Sequence, residues 1–449
     1  MFGYYIDLAL RSLKRTPVLT GLMVLAIGLG IGASMTMLTV LHVMTQDPLP
    51  GRSAHLYYPH INPLPLTYKQ PESGETPDDN FTWPDAMALL HAHRAVRQAA
   101  MAGGHLMVSP QRTDLQPFYV SGHYTTADFF AMFGVPFEQD SGWTAADDQA
   151  GARVAVLSEA LARKLFGSEN PIGQTVQFAD PKNVLHGFRV VGVTRDWAPK
   201  PQFYADKTSS IFNEPDQFFL PLSVAAGLDL QVDGNQFGWG DASDPNSPRA
   251  KLPWKQQPTN SWLQFWVQLD TPAQARAYRQ FLVDYSADQK ELGRFQRPPT
   301  DAKLYTLMDW LARENLVPDD VRLQMWLALG FLFVCMLNIV ALLLAKFLRR
   351  SGEISVRRAM GARKRDIFVQ LGIESALIGV AGGLLGLAIA QLGLWTVRQR
   401  PDAYAHLAAM NPSMLAATVA LAIVASVLAG LLPAWRACRI PPALQLKTQ

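Results

Sequence analysis

The sequence predicts a membrane protein with four transmembrane α-helices and a large α/β extracytoplasmic domain between helices one and two. That domain reads as a split β-α-β domain carrying an inserted α/β subdomain. Three observations carry the prediction. Four stretches are long and apolar enough to cross a bilayer, Lys and Arg crowd one side of them, and the charge of the chain is divided. Only 17% of the 449 residues are charged, and 40 Lys+Arg against 37 Asp+Glu give a formal charge of +3. Residues 46–324 hold 24 Lys+Arg and 32 Asp+Glu, a net of −8, whereas the remainder holds 16 and 5, a net of +11. An acidic middle between basic, apolar ends excludes a single soluble globule and a disordered chain. It also excludes a general nucleic-acid binder, which needs a basic folded domain.

Residues 1–17 read as an interfacial amphipathic helix. Phe2, Tyr5, Ile6, Ala9, Leu10 and Leu13 fall on one face, and Asp7, Arg11 and Lys14 on the other. Residues 18–44 have His42 as their one titratable side chain. At ~1.5 Å per residue they exceed a ~30 Å hydrocarbon core, and they are too long for a signal-peptide core. Residues 325–348, 367–397 and 413–435 give spans two, three and four. Lys and Arg flanking spans lie on the cytoplasmic side. Arg11, Lys14 and Arg15 precede span one. Eight basic residues from Lys346 to Arg365 lie between spans two and three, and Arg436, Arg439 and Lys447 follow span four. The short loop 398–412 has only Arg398 and Arg400. Both termini, the 349–366 loop and the 436–449 tail are therefore expected in the cytoplasm, and residues 45–324 outside.

Gly28 with Gly32, Gly379 with Gly383, and Gly382 with Gly386 have the spacing that lets membrane helices approach closely. Gly28, Gly32, Gly382 and Gly386 are the expected packing positions. Glu374, near the start of span three, is an intramembrane carboxylate and so a functional suspect. The structural reading, which its place two turns from the basic loop favours, is that it snorkels or pairs with Arg363 or Lys364. In the 349–366 loop, RRSGEISVRRAMGARKRD, Ser351 can cap a short helix, Glu353 then sits in its first turn, and Gly361 breaks it. A compact capped loop is more than a topology signal and suggests a docking site.

The middle region alternates strand and helix signals. A strand is expected at 55–61, then a helix from Trp83 to Ala102 capped by Thr82, and a strand from Leu106. A second unit has a strand at 265–269, a helix from Pro272 to Leu292 with a Thr271/Gln274 capping box, and a strand at 303–307. The inserted subdomain, about 117–255, holds a helix at 126–133, a strand at 153–157, a helix capped by Ser158, and strands at 175–178 and 188–193. Residues 227–262 read as a long loop carrying Trp239, Trp254 and Trp262. No phosphate-binding loop, G-x-S-x-G or H-E-x-x-H motif occurs. His91 and His93 point to different faces of a helix, which argues against a metal. Cys335 and Cys438 both lie outside the middle region, so neither can staple it. No catalytic, metal or cofactor site is expected in this chain.

Residues 152–178, ARVAVLSEALARKLFGSENPIGQTVQF, with FRVVGV at 188–193 and YTTADFFAMFGVPF at 124–137, resemble the periplasmic core domain of MacB-type ABC transporters. GEISVRRAMGARKRDIFVQLGIESALIGVAGGLLG at 352–386 and PAWRACRIPPALQL at 433–446 are similar to the FtsX-like permease domain of that superfamily. The resemblance covers nearly the whole chain. It implies a type VII ABC permease of the bacterial inner membrane that works by mechanotransmission. Cytoplasmic ATPase domains move the spans, and the motion reaches the periplasmic domain. It implies four partners besides membrane lipid: an ABC ATPase subunit holding ATP and magnesium, a second permease chain, identical or related, a periplasmic adaptor and an outer-membrane duct. MacB carries its ATPase domain ahead of the permease, and this sequence starts at the interfacial helix, so the ATPase is expected on a separate polypeptide. The leading expectation is efflux of a small hydrophobic or peptide-like compound. Lipoprotein release, or FtsX-like regulation of a cell-wall hydrolase, is the alternative. Force from the ATPase must enter through cytoplasmic elements, which makes Glu353, Arg357, Arg358 and Gly361 the expected coupling residues.

Overall fold

The computed structural model describes residues 2–68, 79–206, 215–239, 252–314, 319–350, 352–353, 356, 360–399 and 412–439. The chain forms two compact units, Gln46–Leu316 and the pair of segments Met1–Thr45 and Val317–Gln449. It opens with α1 (Phe2–Arg15) and α2 (Pro17–Thr45), the first span.

The α/β unit begins with β1 (Leu56–His60), β2 (Phe81–Thr82), α3 (Trp83–Ala92) and β3 (Arg97–Ser109). The inserted stretch adds β4 (Phe118–Thr125), α4 (Asp128–Phe133), β5 (Phe137–Asp140), α5 (Ala145–Ala150), β6 (Val154–Ser158), α6 (Glu159–Phe166), β7 (Thr175–Ala179) and β8 (Leu185–Thr194). It continues through β9 (Phe218–Pro221), α7 (Leu222–Gly227), β10 (Val232–Asp233) and β11 (Phe237–Gly238). β12 (Asn260–Gln268), α8 (Pro272–Glu291), β13 (Lys303–Thr306) and α9 (Leu307–Arg313) complete the unit.

The strands β13–β1–β12–β3 pair in that order, antiparallel throughout. This is the split β-α-β arrangement, with α3 leading into β3 and α8 joining β12 to β13. β3 spans 13 residues and serves three neighbours along one edge, with β10 pairing at Gly103 and Gly104. Arg97–Met101 pair with β12, and Met107–Ser109 pair with β7. On its other edge β3 pairs with β4, and the pairings continue through β9, β6, β8 and β7 back to β3. The inserted strands thus close a ring of six, which leaves few open edges for stray pairing. Gly122 on β4 makes the β4–β9 contact possible, because a Cβ there would lie 2.1 Å from the Phe218 carbonyl oxygen.

Several caps stand where expected. Thr82 accepts from the Asp85 amide, Ser158 from Leu161, and Thr271 forms its capping box with Gln274. The helix expected to run to Ala102 stops at Ala92 instead. His93, at φ 47°, closes it in the left-handed region, and β3 begins at Arg97. Ala99, Ala100 and Ala102 favour helix intrinsically, but here they lie fully buried in a central strand between β12 and β4. Strand pairing and burial there override propensity. The stretch expected as a loop at 227–262 also carries β10, β11 and the start of β12. Trp262 is buried in the core and stacks on Trp83 at 6.1 Å.

The other unit adds α10 (Asp319–Arg349), α11 (Lys364–Arg398) and α12 (Pro412–Arg439). With α2 these are four helices long and apolar enough to span a bilayer. The glycines of α11 serve two faces. Gly382 and Gly386 face α2: a Cβ on Gly382 would lie 2.5 Å from Ile27, and one on Gly386 would lie 3.3 Å from the Gly28 carbonyl oxygen. From α2, Gly28 and Gly32 meet Leu385 and Ile389 at 2.8 and 2.7 Å. Gly379 and Gly383 face α12, within 2.9 Å of Ile423 and Ala422 atoms respectively.

This packing predicts that Gly32→Val destabilises the bundle. Its Cβ would lie 2.7 Å from Ile389 and 3.0 Å from a backbone oxygen, and overpacking of this kind costs ~1–3 kcal/mol. Gly21→Val meets nothing within 4 Å and serves as the control. Thermal unfolding in detergent should show a lowered midpoint for the first variant only.

Candidate coupling site at one end of the span bundle

The polar centre of the span unit is Glu374, fully buried on α11. An ionised carboxylate without partners is very costly in such surroundings. Its partners come from two other helices. On α10, Lys346 places its Nζ 2.6 Å from Glu374 Oε1, with side-chain exposures of 1% and 0%. The Lys346 ammonium makes no aligned hydrogen bond, so this contact is a charge pair. One turn further along, Arg350 Nη1 lies 3.2 Å from Glu374 Oε2. On α1, the Ser12 hydroxyl donates to Glu374 Oε1 at 2.7 Å and accepts from Arg350 Nη1 at 2.5 Å. Arg350 reaches onward to Glu353 Oε2 at 3.3 Å.

The arrangement follows from helical spacing. Lys346 and Arg350 are four residues apart, so Arg350, just past the end of α10 at Arg349, comes to the same side as Lys346. Ala9 and Ser12 are three apart on α1, and both are buried. The face of α1 near Ser12 therefore rests on protein rather than only on lipid, and Leu10, on the face expected to be apolar, is 46% exposed. Beside the cluster, Ser426 donates to the Ser375 carbonyl, and a Cβ on Gly430 would lie 2.2 Å from Ser375 Oγ. These contacts hold α12 against α11 just past Glu374.

The expected pairing of Glu374 with Arg363 or Lys364 is corrected: its partners are Lys346, Arg350 and Ser12. Lys346 and Arg350 read in the sequence only as topology signals. Two cations four residues apart at the end of span two, with Glu374 the one buried acidic residue among the described residues of the spans, were the signal that could have found them. Of the expected coupling residues, Glu353 is brought to the cluster through Arg350. Gly361 stands at φ 100° with open space where a Cβ would be, beside the 76%-exposed Met360. Arg357 and Arg358, with Ser351, lie outside the described residues.

The family model of the MacB-like periplasmic core domain matches residues 20–283, and that of the FtsX-like permease C-terminal domain matches residues 325–442. The chain belongs to the MacB/FtsX-like family of ABC transporter permeases. It is 26% identical to the pyoverdine export ATP-binding/permease protein PvdT of Pseudomonas aeruginosa, over 81% of this chain and 47% of that protein. It is 25% identical to the macrolide export ATP-binding/permease protein MacB of Rhodospirillum rubrum, over 100% and 61%. The chain thus spans about half the length of the curated relatives it matches. The solved periplasmic region of MacB from Actinobacillus actinomycetemcomitans aligns with 58% of this chain and 94% of its own, at 14% identity and a TM-score of 0.34.

In this MacB/FtsX-like permease the cluster ties α1, α10 and α11 together by charge, and the energetics of buried pairs are asymmetric. Removing one member leaves an uncompensated charge and costs ~3–5 kcal/mol, whereas replacing both by apolar groups is often neutral. Glu374→Gln should therefore lower the thermal midpoint and open Lys346 to amine-reactive labelling. Adding Lys346→Met to Glu374→Gln should recover much of the loss. Additive damage in the double variant would show that the two residues do not act as a pair.

Proposed function

We propose that this chain is the permease subunit of a mechanotransmission ABC transporter in the bacterial inner membrane. Both termini and the 349–366 loop face the cytoplasm, and the α/β unit lies in the periplasm. ATP hydrolysis takes place on a partner ATPase subunit. The transported compound is small and hydrophobic or peptide-like, and it is taken from the periplasm by an assembly that also contains a second permease chain, an adaptor and an outer-membrane duct. Support for the transport reading comes from the relatives PvdT and MacB, which are both export proteins. Support for the orientation comes from the placement of Lys and Arg. These 449 residues contain no phosphate-binding loop motif.

The observation that carries the coupling reading is the path from Glu353 through Arg350 to Glu374 and Ser12. It joins the loop to α10, α11 and α1 through charged contacts of 2.5–3.3 Å. A force applied at the loop meets buried, paired charges, which cannot slide past one another without cost. Glu353, Arg357, Arg358 and Gly361 form the ATPase contact in this reading.

Reversing Arg357 and Arg358 to Glu is expected to weaken ATPase docking. A rim charge is worth ~1 kcal/mol or less, and a desolvated pair ~2–5 kcal/mol. Gly361→Val should act through backbone strain at positive φ, while Gly361→Asn should be tolerated better. Transport and co-purification with the ATPase subunit measure both, with topology and membrane level as controls. Wild-type association and wild-type transport in the reversal and valine variants would reduce the loop to a topology signal.

A further inference from the structure

The α/β unit holds a cavity of about 340 Å³ between α3 and the segments at 126–128, 145–149 and 222–223. Its wall combines Trp83, Met87, Leu90 and Leu222 with Gln98 and Asp148. The apolar side chains suit a small organic molecule; among the polar ones Asp148, Gln98 and Thr126 present acceptors, while His91, His93, Gln149 and Ser223 also line the wall. Asp148 is a carboxylate whose two oxygens accept from Trp143 Nε1 at 2.8 Å and the Ala127 amide at 2.7 Å. Burial pushes its carboxyl up to about 6, so at neutral pH the carboxylate is charged and poorly solvated. Gln98 is 5% exposed; its amide nitrogen donates to the Leu90 carbonyl, and its Oε1 is buried with no partner. Thr126 Oγ1, in the same wall, is also buried without a partner. Asp128 adds a second carboxylate at the exposed edge.

Buried acceptors without donors are uncommon in folded proteins. Here they lie beside an apolar space with an aromatic wall and a desolvated carboxylate. We propose that this cavity binds a small apolar molecule carrying a primary ammonium group, with the ring or alkyl part against Trp83, Met87 and Leu222 and the N–H donors toward Asp148 and Gln98. Trp83 adds attraction for a cation through its ring face. The site lies wholly within the α/β unit, and the inference stands apart from the transport reading.

The test uses the full chain in phosphatidylcholine nanodiscs, with empty nanodiscs as the blank. The probe is 2-naphthylmethylamine, titrated by calorimetry beside 2-naphthylmethanol and 2-naphthoic acid. Saturable one-to-one binding of the amine is expected, with the alcohol and the acid at least tenfold weaker. Met87→Trp fills the cavity without touching the Asp148 hydrogen bonds and should abolish binding at an unchanged thermal midpoint. Asp148→Asn should weaken it about tenfold. Because Asp148 also holds Trp143 and Ala127, Met87→Trp decides the matter if Asp148→Asn does not fold. No binding of the amine, equal affinity for amine and alcohol, or unchanged amine affinity in folded Met87→Trp would each overturn the proposal.

Discussion

Apolar side chains gain nothing by leaving lipid for a neighbouring helix, so a bundle in a bilayer needs close backbone approach or buried polar contacts to hold together. In this protein both devices converge on α11. Its glycines divide between two faces, with Gly382 and Gly386 against α2 and Gly379 and Gly383 against α12. Near its start, Glu374 draws in α10 and α1. Every other helix of the span unit therefore makes its specific contact with α11. The overlapping pair of glycine motifs is the physical reason one helix can serve two neighbours: a three-residue offset sets the second pair about 60° around the helix from the first.

The α/β unit solves a different problem. A split β-α-β domain interrupted by more than a hundred residues must keep its sheet while holding the insertion in place. β3 does this with length. Its first residues belong to the four-stranded part, and its last residues belong to the six-stranded ring. The aromatic core continues across the junction: Phe133 and Phe203 from the insertion pack edge-on to Trp266 of β12, at centroid distances of 6.3 and 5.1 Å. The insertion therefore shares a core with its host.

Much of this was legible in the sequence, and what was not has physical causes. The spans announced themselves through length and hydropathy, and the helices capped by Thr82, Ser158 and Thr271 through local hydrogen-bond chemistry. Both kinds of signal are confined to a few adjacent residues. Besides the strands within 227–262, the misread stretch was Arg97–Ala102, where alanines favour helix and only the neighbours β12 and β4 make a strand. Strands such as β4 and β9 went unread for the same reason, since their partners lie far along the chain. In the charged cluster, Glu374 stood out as an intramembrane carboxylate. Its partners did not, because a lysine and an arginine at the end of a span look like any other topology signal until α11 places a carboxylate between them.

That cluster also has a charge count that matters for how motion could pass through it. Glu374 faces two cations, Lys346 and Arg350, so the buried group alone carries an excess positive charge. Glu353, from the loop side, brings the four charged groups to two of each sign. The most buried pair, Lys346 with Glu374, is fixed by its surroundings, whereas Arg350 and Glu353 are 21% and 36% exposed and can exchange partners with water. Displacing the loop would thus remove Glu353 first and leave Arg350 shared between Glu374 and Ser12 of α1. The loop, the leading helix and α11 then compete for one guanidinium. That competition gives a physical route by which a change at the loop alters the hold of α1 on the spans without breaking the innermost ion pair.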